Sequence, residues 1–322
     1  MSLVLRLPAG IERKLELLWR GLPDTGAGRV DFSTPAGEPA LIPAQSVSWR
    51  VFKNPVTVFI GGVAAVILEL AEPCVRTGVW EHSRFRKDPV GRLQRTGAAA
   101  MITVYGARSI ATPMIERVAR MHAAISGVTP CGVAFTAADP ALLTWVHATA
   151  SYGFIAAYTE YARPLAEREI DAFFEEGVPA AHLYGAVDAP RSMREAESLF
   201  DSMRERLQRS AIVLEFLDLL RAAPVLPPTL SWMQGLLIRA ALDIVPVWAR
   251  ERMGLDARPR LQMLERSLVK SIAGLADRIL LPGSVPAQSC VRLGLPVTYL
   301  YGPQSMGRRV ETSESDESAR RT

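Results

Sequence analysis

A chain of 322 residues that is 49% hydrophobic and 22% charged has the composition of an ordinary globular protein with a real core, which excludes a disordered or collagen-like chain. Its formal charge of +4 rests on arginine, with lysine only at 14, 53, 87 and 270. The arginines are spread among acidic partners rather than gathered beside aromatics, so no nucleic-acid partner is expected.

The N-terminal MSLVLRLPAGIERKLELLWRGL lacks the long apolar core of a signal peptide and reads as a short amphipathic helix. Residues 23–46, crowded with Gly, Pro, Ser and Thr, read as an extended lead-in, so 1–46 stand apart from the body. The uncharged run Val56 to Leu68 is shorter than the roughly 18 residues of a spanning segment and predicts a buried core helix. No transmembrane helix is expected, which leaves peripheral membrane contact open. Gly78, in RTGVWEHSRF, suggests a turn or helix end.

Asp88 as N-cap and Pro89 in the first turn predict a helix to about Tyr105, stopped by Gly106. Arg92, Thr96, Ala99, Ala100 and Thr103 fall on one side of it, where small side chains let something large approach. Thr112 and Pro113 repeat the start signal and Gly127 ends the segment, predicting a second helix with Ile115, Val118, His122 and Ile125 on one face. Asp139 and Pro140 open a third, with Leu143, Val146, His147, Ala150 and Phe154 in a stripe. Further helices are predicted over Ala166 to Glu176, from a Ser192/Glu195 capping box to about Gln208, over Ile212 to Leu220, and over Trp232 to Arg250 with a kink at Pro246. Leu261, Leu264, Leu268, Ile272, Leu275 and Ile279 form an apolar stripe. Residues 47–281 therefore read as one helical domain, 282–306 as a Pro/Gly-rich loop with one short extended piece, and 307–322 as a disordered tail. No strand pattern of any length and no internal repeat occur, so the fold class is all-α.

Three distant cysteines, Cys74, Cys131 and Cys290, without a CxxC, give neither a disulfide framework nor a zinc finger and suit a reducing cytoplasm. The four histidines, His82, His122, His147 and His182, contain no HxxxH or HExxH, and neither GxSxG, GxGxxG nor a Walker A loop is present. What remains is one histidine, His122, on an apolar face opposite a helix bearing small residues and arginines. A neutral imidazole can hold a haem iron while arginine meets the propionates, and it can equally be a hydrogen-bonded core residue. The residues alone leave both open. His147, beside Trp145, and His182, expected in a loop, read as structural.

The segments GVWEHSRFRKDPVGRLQRT, VARMHAAISG, AADPALLTWVHAT, PLAEREIDAFFEEG and VPVWARERMGLDARP, in this order over roughly residues 50–270, resemble the oxygenase family that includes MpaB and the rubber oxygenase (latex-clearing protein) catalytic domain. The resemblance implies an all-helical, globin-like core around a pocket for haem b, with O2 as co-substrate. It implies His122 as the iron ligand, Arg92, Thr96 and Ala99 beside the haem, and Arg95 with Thr96 acting on bound O2. Arg95 stands where rubber oxygenases have a lysine able to ligate iron, and a guanidinium cannot lose its proton to do so. The implied activity is a cytoplasmic, haem b-dependent oxygenase acting on a hydrophobic small molecule with an unsaturated or isoprenoid portion. A non-catalytic haem or lipid carrier on the same fold is the alternative, because fold does not fix function. Oligomeric state is not readable.

Overall fold

The computed structural model describes residues 4–6, 30–226 and 228–302. Among these, thirteen α-helices carry the architecture: α1 (Val47–Phe52), α2 (Pro55–Glu69), α3 (Pro73–His82), α4 (Pro89–Tyr105), α5 (Arg108–Ala123), α6 (Pro140–Ala157), α7 (Glu167–Tyr184), α8 (Met193–Met203), α9 (Ala211–Ala222), α10 (Ser231–Ile244), α11 (Val247–Met253), α12 (Met263–Ala276) and α13 (Val285–Arg292). The fold is all-α. Its strands are two short pairs: β1 (Leu5–Arg6) lies parallel to β4 (Ile279–Leu280), and β2 (Ser126–Val128) lies antiparallel to β3 (Ala134–Thr136).

Four helices start on the same local chemistry. Proline occupies the first position of α2, α3, α4 and α6, where no backbone N–H is missed, and the residue before it caps the end. Asn54 accepts from Val56 N at 3.1 Å, Glu72 from Val75 N at 2.8 Å, Asp88 from Gly91 N at 2.9 Å and Asp139 from Ala141 N at 2.8 Å. Two other helix starts are capped from afar. Glu176 of α7 accepts from Val47 N and Ser48 N of α1, both at 2.9 Å, and Glu38 accepts from Ser109 N of α5 at 2.6 Å.

At the centre α2 crosses α6 backbone to backbone. A Cβ on Gly61 would lie 2.6 Å from the Gly153 carbonyl oxygen, so both positions need glycine for close approach. One apolar cluster gathers Ile60, Ile67, Leu68, Trp145, Phe216 and Leu237 from α2, α6, α9 and α10. A second gathers Trp49, Tyr105, Ile115, Phe174 and Cys290 from α1, α4, α5, α7 and α13.

Several sequence expectations are corrected. α5 begins at Arg108, so Pro113 lies inside it rather than at its start, because the remote Glu38 carboxylate caps the earlier turn. It ends at Ala123, since residues 126–128 join the β2–β3 hairpin instead of extending the helix to Gly127. Gly78 is inside α3, where the Phe135 ring of that hairpin packs 3.3 Å from where its Cβ would be. His182 is in the last turn of α7, which runs past Glu176 to Tyr184. α8 stops at Met203, short of Gln208. Pro246 separates α10 from α11, which meet at 107° rather than forming one kinked helix. α12 buries Val269 and Ala273, while Leu264, Leu268 and Leu275 of the apolar stripe face outward, Leu264 with 83% of its surface accessible. Residues 285–292 are helical, not loop. The expected N-terminal helix is contradicted at Leu5–Arg6, which pair as β1 with β4; the rest of that helix and the C-terminal tail lie outside the described residues.

Among the described residues no single helix is long and apolar enough to cross a membrane. Two bent pairs, α2 with α3 and residues 228–244 with α11, reach that length and composition only together.

Candidate functional site

Asp88 and Pro89 set the phase of α4, and that phase puts Arg92, Ala99, Ala100 and Thr103 along one half-buried strip. The Arg92 guanidinium donates to Thr96 Oγ1 one turn on, and Thr96 Oγ1 in turn donates to the Arg92 carbonyl at 3.0 Å. Thr103 lies further along and shares a 3.1 Å hydrogen bond with the Tyr184 hydroxyl of α7. Arg95 turns away from this strip: it is exposed and pairs with Asp88 at 3.4 Å.

His122 sits in the last turn of α5, half-buried, and its Nδ1 is buried without a hydrogen-bond partner. Burial lowers its pKa, and the positive charge of Arg92 lowers it further, so the imidazole is neutral near pH 7. Among the described residues, Arg92 of α4 thus faces His122 of α5 electrostatically without either being tied into an ion pair.

A third group belongs to this set, and sequence reasoning missed it. Glu69 is the last residue of α2 and that helix's lone charge. Burial pushes its carboxyl up to about 7, and Arg92 pulls in the opposite direction. The available signal was a charge closing a long apolar run, VTVFIGGVAAVIL, where a carboxylate has poor solvation. On the same face of α2, Phe59, Gly62 and Val66 are half-buried, and Gly62 lies against Phe154 of α6, whose Cε1 would stand 3.8 Å from a Cβ there.

The predicted α6 stripe behaves alike. Leu143, Val146, His147, Ala150 and Phe154 are half-buried, whereas Trp145, Ala148 and Thr149 on the other side are fully buried. His147 is pushed down to about 4 by burial and by His182, and its Nε2 is 3.4 Å from Ser151 Oγ. Glu69, Arg92 and His122, which act on one another electrostatically, and His147 are groups that their surroundings desolvate yet that keep accessible surface. His82 is exposed at the end of α3 and His182 is exposed on α7, so neither joins them.

Among the described residues no three His, Cys, Asp or Glu side chains converge as a metal site would require. A separate cleft of about 310 Å³ lies near Tyr152, Thr159 and Met193, but its charges are spent on one another: Arg266 donates to Glu160 at 2.9 Å and to Asp243 at 2.7 Å.

An all-α fold with a neutral, unpartnered histidine and an arginine held by a threonine defines a class of small-molecule site built between helices. The chain belongs to the family described as ER-bound oxygenase mpaB/B'/Rubber oxygenase, catalytic domain, which it matches over residues 49–274. It is therefore a member of an oxygenase catalytic-domain family. No curated protein and no solved structure matches it significantly.

Proposed function

We propose that this protein is a haem b-dependent oxygenase that uses O2 on a hydrophobic small molecule with an unsaturated or isoprenoid portion. The observation that carries the reading is the state of His122: half-buried, neutral near pH 7, and with a buried Nδ1 free of any protein partner. Buried polar atoms are nearly always satisfied, so an orphan imidazole in an oxygenase-family fold points to a ligand outside the protein. A haem fits the donor set, because its iron brings four nitrogen ligands and asks one residue of the protein, whereas a protein-only iron site needs a cluster that does not form among the described residues.

His122 would hold the iron. Haem b, when bound, supplies the metal at which dioxygen is activated. Arg92, anchored on Thr96, offers positive charge and N–H donors to the anionic or oxygen-bearing group beside it. Ala99 and Ala100 keep that wall of α4 flat, while Val146, Ala150 and Phe154 offer an apolar surface that excludes water and orients an apolar substrate. The reading places the protein in the cytoplasm, in keeping with three cysteines that are all free thiols.

Colour is the first test. Protein purified from haem-replete cells is expected to show a Soret band that His122→Ala removes. A colourless protein that also refuses added haemin overturns the cofactor. Turnover is tested by O2 uptake and product analysis on lipophilic alkenes with the reduced protein.

A further inference from the structure

The cleft bordered by Thr159 has no part in the function just given. At about 310 Å³ it is of the size that takes a small molecule. Tyr152, Ile155, Ala156 and Thr159, at three- and four-residue spacing on α6 and the turn that follows it, form one wall. They lie on the side of that helix opposite His147, Ala150 and Phe154. Ile170 of α7, Met193 of α8 and Ile244 of α10 add apolar surface.

Five polar side chains border the cleft, and four of them are engaged. Tyr152 donates its hydroxyl to the Ile244 carbonyl at 2.9 Å. Arg266 donates to Glu160 at 2.9 Å and to Asp243 at 2.7 Å, and Asp243, 1% exposed, also accepts from Arg260 Nε at 2.9 Å. The fifth, Thr159, has its Oγ1 buried without a partner. Thr57, Thr77, Thr96, Thr103 and Thr149 all donate back to a carbonyl three or four residues earlier in their helices. Thr144, the other threonine buried without such a bond, does not border the cleft.

The turn that carries Thr159 is unusual. Tyr158–Ala162 form a π-helical turn, closed by Arg163 N on the Tyr158 carbonyl at 3.0 Å. Its two tyrosines are anchored in the core, Tyr158 through Asp277 at 3.3 Å and Tyr161 through the Ala240 carbonyl at 3.2 Å, and Thr159 and Glu160 between them border the cleft. Wider turns of this kind recur at functional sites. Because Oγ1 is closed to solvent, Thr159 meets the cleft through carbon, and a turn about χ1 brings the hydroxyl to it at no loss of a hydrogen bond.

We propose that this cleft is a second ligand site, which takes an uncharged, mainly apolar molecule whose one hydroxyl or carbonyl oxygen accepts from Thr159. A charged ligand is disfavoured, since it would have to part ion pairs already made around the buried Asp243. The inference does not rest on haem being the cofactor, because the cleft shares no residue with the set of Glu69, Arg92, His122 and His147.

The test is calorimetric titration of the purified protein with geraniol, with the hydrocarbon of the same skeleton and with geranate, its carboxylate counterpart. Geraniol is expected to bind most tightly and geranate least. Ala156→Phe fills the cleft, and the binding component it removes is the one that belongs there. In that component Thr159→Val should weaken geraniol about tenfold, the worth of one neutral hydrogen bond, and leave the hydrocarbon unaffected. Thr159→Ser, which keeps the hydroxyl, should bind geraniol as the parent does. Ligand-free Thr159→Val should melt with the parent, since it loses no bond, and this separates weaker binding from a damaged fold. His122→Ala should keep the cleft component; its loss there would put the ligand at His122 and overturn the second site. The proposal is also overturned if a folded Ala156→Phe removes no component, if Thr159→Val weakens geraniol and hydrocarbon equally or neither, or if geranate binds as tightly as geraniol.

Discussion

Two arginines, one buried and one half-buried, divide the molecule by how their surroundings treat a charge. Arg292, at the end of α13, is 2% exposed and spends its guanidinium on three carbonyls: Phe32 at 2.9 Å, Glu38 at 2.9 Å and Tyr105 at 2.6 Å. It ties the lead-in before α1 to the end of α4, and nothing polar around it is left over. Arg92, at the other end of the same helix α4, has a threonine hydroxyl for its partner and acts electrostatically on an unpaired carboxyl, Glu69, and an unpaired imidazole, His122. A satisfied polar network specifies a fold, whereas a partly satisfied one is tolerated where a ligand completes it.

The largest expected effect breaks the satisfied side. Arg292→Met is expected to cost on the order of 3–5 kcal/mol, because it removes a buried guanidinium from three carbonyls and leaves those of Phe32 and Glu38 without their donor, while Tyr105 keeps Ser289 Oγ at 3.2 Å. A urea titration that shows a loss below about 1 kcal/mol would deny the network its structural role.

The next effect concerns pH. The Glu69 carboxyl is near 7 in the folded protein against an ordinary 4.5, so the unfolded chain releases its proton first as pH rises. Its contribution is intact below about 4.5, falls as pH rises from there to about 7, and is constant above; the span is about 3 kcal/mol. His147 runs the other way, since a histidine lowered to about 4 keeps its full contribution above its ordinary 6.5 and loses it as pH falls toward 4. Glu69→Gln should therefore be more stable than the parent at pH 8 and equal to it at pH 4. Melting curves at the two pH values decide the matter, and equal differences at both would show that Glu69 is not the group involved.

Arg92→Met sharpens the contrast with its counterpart at Arg292. It removes a desolvated charge that holds no ion pair, so at pH 6 stability is expected to stay level or rise, by about 1 kcal/mol. A loss comparable to that of Arg292→Met would mean that Arg92 is as much a structural strut.

The satisfied side and the open side were not equally legible in the sequence. Helices that begin on Asp or Asn before Pro, such as α4 and α6, could be placed from local chemistry, and with them the phase that puts Arg92 on the small-residue strip. α5 could not, because its cap is Glu38, seventy-one residues away, and the false start at Thr112 and Pro113 was the strongest local signal. Arg292 looked like one basic residue in a Pro/Gly-rich stretch, since its partners are backbone carbonyls from 187 or more residues earlier. His122 could be singled out by periodicity, but that Nδ1 lacks a partner is a fact of packing. Glu69 was visible as a charge ending an apolar run, and only the depth of α2 gave it meaning.

Arg95 carries the smallest expected effect. The family resemblance placed it on the distal side of a haem, yet its side chain, 42% exposed, lies with Asp88 at the helix start. A surface pair of this kind is worth about 0–1 kcal/mol. Arg95→Ala should therefore barely move the melting temperature, and it should leave the Soret position where it is, whereas Arg92→Met should shift it. A spectral shift in Arg95→Ala as large as that in Arg92→Met would mean that the side chain swings from Asp88 toward Arg92 and His122 when ligand is present, so that α4's outer and inner faces are not separate in function.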